Sequence, residues 1–94
     1  MNRVVPRHTF TFAGTTHNIF HCDTGFGLPK HDHDFPHATV CHSGSIVIRK
    51  EGREVIITKD STPVVLTANE WHEIEAIEDG TVFENIFVTN TTNK

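Results

Sequence analysis

Hydrophobic and polar positions alternate with a period of two along most of the chain. Thr9-Phe10-Thr11-Phe12-Ala13 alternates and stops at Gly14. Side chains of an extended segment point to opposite faces in turn, so this pattern predicts a half-buried strand. His17 to Cys22 carries Ile19 and Phe20 and reads as a second strand. Residues 23–33 contain Gly25, Gly27 and Pro29 and read as loop. Ala38 to His42 is a short β-rich run that ends at Ser43-Gly44. Ser45 to Arg49 and Arg53 to Thr58 flank Lys50-Glu51-Gly52, a hairpin pattern. Thr62 to Thr67 carries Pro63 and predicts a strand start or an edge. Trp71 to Ile77 follows a turn at Ala68-Asn69-Glu70, and Thr81 to Thr89 follows another at Glu78-Asp79-Gly80. Helical spacing is nowhere persuasive. Seven to nine short strands predict an all-β sandwich or small barrel, with a frayed polar tail from Asn90 to Lys94.

A chain of 94 residues makes one domain, 1–94, with a core near the lower limit of size. Seven Phe and one Trp supply enough apolar bulk to argue against disorder. No run approaches the ~20 apolar residues of a membrane helix. The start, Met1 to Arg7, shows no signal-peptide or lipidation pattern, so the expected location is the cytoplasm. The formal charge is −4 and the cations are scattered, which disfavours a nucleic-acid partner. Two cysteines, Cys22 and Cys41, are too few for a disulfide framework.

The count that changes the picture is eight His against no Tyr. Imidazole is the commonest protein metal ligand. Three histidines fall within seven residues, as His31-Asp32-His33-Asp34-Phe35-Pro36-His37. In an extended segment 31 and 33 share a face, and a bend at Phe35-Pro36 brings His37 round to them. His72, just after a turn, completes a site if its strand lies beside Ala38 to His42. The full string is Gly25-x5-His31-x-His33-x3-His37-x6-Gly44.

This string resembles the first motif of the cupin superfamily, G-x5-H-x-H-x3,4-E-x6-G. Gly25, His31, His33 and Gly44 occupy matching places, and His37 stands at the family's glutamate. The second motif, G-x5-P-x-G-x2-H-x3-N, is kept at His72 only; Thr67, Asn69 and Ala76 replace its Pro, Gly and Asn. The resemblance implies a small double-stranded β-helix, a jelly-roll barrel, around one divalent metal ion: Mn, Fe, Ni, Cu or Zn. It implies His31, His33, His37 and His72 as ligands, or three ligands with His37 braced behind them. Four neutral imidazoles leave the ion its full dication charge, a stronger Lewis acid than a site with a carboxylate.

Side-chain alternation places Thr39 and Cys41 with His37, and Ile74 and Ala76 with His72, as candidate lining of a small-molecule pocket. Asp32 and Asp34 should point away as solvated loop acids, and Trp71 should face opposite His72. His8, His17, His21 and His42 read as surface or hydrogen-bonded residues. On the last strand Phe83, Asn85 and Phe87 form one face and Val82, Glu84 and Ile86 the other; Asn85 or Glu84 lines the pocket. No nucleophile elbow or P-loop string competes. The expected function is a metal-dependent enzyme acting on a small oxygenated organic molecule, most simply a dioxygenase-like oxidoreductase. The alternative is a non-catalytic metal- or small-molecule-binding module. Exposed strand edges and apolar outer faces predict a homodimer.

Overall fold

The protein is described here by a computed structural model covering residues 1–89; the expected frayed tail, Asn90 to Lys94, lies outside the described residues. Ten strands follow one another: β1 (Asn2–Arg3), β2 (His8–Phe12), β3 (Thr15–Cys22), β4 (Phe26–His31), β5 (His37–Ser43), β6 (Ser45–Lys50), β7 (Arg53–Thr58), β8 (Val64–Leu66), β9 (His72–Ala76) and β10 (Thr81–Val88). They form two five-stranded sheets, ordered β1-β4-β9-β6-β7 and β2-β3-β10-β5-β8. Every pairing is antiparallel except the short β1–β4 contact. The two sheets close on a shared core as an all-β jelly-roll barrel. Among the described residues there is no helix, and so none long and apolar enough to cross a membrane.

The core is built from the inward positions of both sheets. Phe20 and Phe83 stack with centroids 4.7 Å apart, and Ile46, Ile48, Leu66 and Ile74 are fully buried around them. Turn chemistry fixes the corners. Gly44, between β5 and β6, has φ +72°, and a Cβ there would lie 2.2 Å from Thr81 Oγ1. Only glycine meets both the left-handed backbone and the close approach.

Residues 26–31 differ from the expected loop: they form β4. Gly27 is in the strand because its backbone packs on β9, where a Cβ would fall 1.9 Å from the Ile74 carbonyl oxygen. Pro29 is tolerated because the β4–β9 register shifts between Leu28 and His31. Leu28 pairs with Ile74 and His31 with His72, so three steps on β4 match two on β9. This bulge removes the need for a ladder hydrogen bond at Pro29 and re-aims the side chain that follows.

Candidate metal centre

The bulge builds the centre. Residues three apart on a regular strand face opposite sides, yet both Leu28 and His31 turn toward the interior side of β9. His31 becomes the direct cross-strand neighbour of His72, with ring centroids 4.4 Å apart. His33 lies beyond the end of β4 in the 32–36 connection, and its carbonyl accepts the Asn69 amide at 2.7 Å. Asn69 has φ +65°, a conformation that Asn tolerates better than most residues. The His33 ring sits 5.1 Å from His72 and 5.0 Å from His37. His37 opens β5, is almost fully buried, and places Nε2 3.2 Å from His72 Nε2.

Hydrogen bonding sets the tautomer of each ring. His31 Nδ1–H donates to the Pro29 carbonyl at 2.7 Å, and His33 Nδ1–H to that of Phe35 at 2.7 Å. His72 Nδ1–H donates to the Glu70 carbonyl at 2.9 Å. Carbonyl oxygens only accept, so these nitrogens carry the protons. Thr39 Oγ1–H donates to Asn85 Oδ1 at 2.7 Å and so accepts from His37 Nδ1–H at 3.2 Å. In the neutral state all four rings leave Nε2 unprotonated. His37 and His72 then oppose two lone pairs 3.2 Å apart, an arrangement that no hydrogen bond satisfies. Nitrogens each about 2.1 Å from one tetrahedral ion stand about 3.4 Å apart, so a cation fits this spacing.

The electrostatics point the same way. Burial pushes the His37 imidazole down to about 4, and the neighbouring His72 and His33 rings add to the effect. Burial likewise lowers His72, against the opposing bond to the Glu70 carbonyl. Both rings are neutral at pH 7, the form that binds a metal. His31, His33 and His72 each bring a ligand atom to within 4.8 Å of the others. His37 stands outside that mutual set and joins through His72.

The other anticipated lining residues take two different places. Thr39 and Asn85 lie directly behind His37 as the hydrogen-bonded pair just described. Cys41 and Ile74 sit in the apolar core cluster, with the Cys41 Sγ–H donating to the Ser43 carbonyl at 3.3 Å. Burial raises the Cys41 thiol, so it stays protonated. Asp32 and Asp34 are exposed. Trp71 is half-buried under Lys30, whose Nζ stands 4.3 Å from the ring centroid. Phe35 stacks on His33 at 4.3 Å and meets Phe87 at 5.0 Å, forming an aromatic wall. A cleft of about 250 Å³, lined by Pro36, His37, Ala38, Phe87 and Val88 among others, opens beside His37.

Sequence reasoning missed one arrangement. Glu84 is buried on the opposite face of β10 and joins His17 Nδ1 at 2.5 Å and His42 Nε2 at 2.7 Å. Phe10 stacks flat on His17 at 4.6 Å. Its residues are scattered over four strands, and only the register of β2, β3, β5 and β10 unites them.

No family model and no curated protein matches the chain by sequence. Solved structures do match. A cupin protein from Bacteroides fragilis is 21% identical with a TM-score of 0.69, covering 88% of this chain and 72% of its own. A cupin superfamily protein from Desulfitobacterium hafniense is 13% identical with a TM-score of 0.76, covering 95% and 80%. An RmlC-like cupin protein from Desulfovibrio desulfuricans is 19% identical with a TM-score of 0.71, covering 90% and 82%. The fold is therefore the cupin double-stranded β-helix.

Proposed function

We propose that this chain of cupin fold binds one divalent transition metal ion through His31, His33, His72 and His37, and is a metal-dependent enzyme for a small oxygenated organic molecule. The observation that carries the reading is the set of Nδ1–H bonds that leaves four Nε2 atoms free. An all-imidazole donor set suits Mn less well than Fe, Ni, Cu or Zn. When bound, such an ion supplies Lewis-acid activation of an oxygen ligand and, if redox-active, dioxygen chemistry. The chain's own residues orient the rings. Thr39 and Asn85 hold the His37 ring and its proton, while Phe35, itself in contact with Phe87, packs on the His33 ring.

Among the described residues Glu84 is the one buried acid, and it faces away from the cluster toward His17 and His42. Among the described residues no buried carboxylate faces the rings, and Glu70, whose charge acts on His72, is held by Lys50 at 2.9 Å and by the Thr67 amide. Metal-centred oxidation is therefore favoured over carboxylate-based proton abstraction. The same lack of a free buried carboxylate supports the second reading, a non-catalytic binding module. Oxygen uptake by iron- or copper-loaded protein with small dicarbonyl and phenolic compounds separates the two. Uptake abolished in His72→Ala supports the enzyme; ligand binding to the ion without turnover supports the module.

The outer face of the β2-β3-β10-β5-β8 sheet exposes Phe10, Phe12, Val65 and Val88. Covering this face with a second copy accounts for it, so a homodimer is proposed. Light scattering that finds only monomer at micromolar concentration refutes the dimer.

A further inference from the structure

A second concavity lies well away from the histidine cluster. The cluster stands at the His31 end of β4; this groove borders Phe26 at the other end. Five strand steps of about 3.3 Å separate the two ends, roughly 16 Å. The groove has a volume of about 600 Å³. It is formed because the chain from Val4 to Arg7 straps across from one sheet to the other. Val4 N–H donates to the Gly27 carbonyl at 2.9 Å on β4, and Arg7 N–H to the Ile19 carbonyl at 2.8 Å on β3. Both ends of the strap are thus tied to strands, and Pro6 between them stiffens it.

The charge of this groove contrasts with that of the molecule. The whole chain carries −4, yet the groove is lined by Arg3, Arg7 and His21, with Asp23 its one acid. Asp23 Oδ1 is already committed, accepting the Gly80 amide at 3.0 Å. Arg3 and Arg7 make no ion pair among the described residues, whereas Arg49 alone meets Glu54, Glu73 and Glu75. Burial, and to a lesser extent the Arg7 charge and His8, make His21 harder to protonate. Val4, Val5 and Phe26 add apolar walls to the same space.

We infer that this groove binds an organic oxyanion, a carboxylate or phosphate on a small apolar body. Arg7 and Arg3 supply forked donors matched to such a group, His21 an additional donor, and the valines and Phe26 the contact for the body. The site is independent of the metal reading, and its test uses the chelator-treated chain so that no metal-bound anion contributes.

The experiment follows the imidazole Cε1–H resonances by NMR at constant ionic strength while benzoate or phenyl phosphate is added. The expected result is a saturable shift of His21 with His72 unmoved. In Arg7→Gln the dissociation constant should rise about tenfold, as loss of one charge-assisted bond implies. Saturation by benzoate alone assigns a carboxylate, by phenyl phosphate alone a phosphate, and by both an oxyanion in general. No saturable shift with either probe overturns the inference. So does an equal shift with sodium chloride, or an unchanged constant in both Arg3→Gln and Arg7→Gln.

Discussion

Thr39→Val is the sharpest perturbation of the cluster. The substitution keeps the shape of a fully buried side chain and removes one hydroxyl. That hydroxyl joins two buried groups, accepting from His37 Nδ1 and donating to Asn85 Oδ1. Each buried polar group left without a partner costs about 1–3 kcal/mol. Valine recovers part of this through better apolar packing, so a net loss of about 2 kcal/mol is expected. For a domain of this size that lowers Tm by about 10 °C. The second consequence concerns the ring. Without an acceptor at Nδ1, His37 is free to carry its proton on Nε2, facing His72. Loss of such an orienting partner typically weakens metal binding by about 10- to 100-fold. Zinc affinity measured against a competing chelator reads this directly, and Thr39→Ser, which keeps the hydroxyl, should restore it. Zinc affinity equal to that of the parent chain in Thr39→Val would show that Thr39 does not set the tautomer.

Three further outcomes follow from the same geometry. Metal-free protein should lose stability on acidification: His37 and His72 bind fewer protons folded than unfolded, so their contribution is present above the ordinary value of 6.5 and is lost as pH falls below it, for His37 toward about 4. For His37 the ceiling is about 3 kcal/mol; urea melts of His37→Asn with the same pH slope as the parent would contradict this. Gly44→Ala places a Cβ 2.2 Å from Thr81 Oγ1 at φ +72°, so a Tm drop of about 10 °C is expected from about 2 kcal/mol of strain, and an unchanged Tm refutes it. Glu84→Gln removes the charge between His17 and His42 and should cost about 2 kcal/mol while leaving zinc affinity unchanged; a loss of zinc affinity would mean the two faces of β10 are coupled.

The strand rhythm was legible because one face of most strands is buried and the other is wet. Phe20 and Cys22 point in while His21 is more exposed, and His72, Ile74 and Ala76 are buried in alternation. β4 was hidden by Gly27 and Pro29, residues that break strands except where backbones touch or a bulge relieves the ladder. That same bulge undoes simple alternation, so no count of residues along the chain places His31 opposite His72. His33 lies outside any strand, and its position depends on the bond from Asn69 rather than on side-chain parity. Asn85 and Glu84 were indistinguishable in sequence because both are polar and flanked by apolar residues. The pairing of Asn85 with Thr39 and of Glu84 with Val40 separates them. The groove under the Val4 to Arg7 strap was invisible for a related reason: its residues meet only when both sheets are closed.

The central claim is that the histidines hold a metal ion. Its most direct test is the metal content of untagged protein, purified without metal-affinity resin, by inductively coupled plasma mass spectrometry beside His72→Ala. The account predicts near-stoichiometric Fe, Mn, Ni, Cu or Zn in the parent chain and its loss in a variant that still folds. No metal in the parent chain, even after reconstitution, would contradict it.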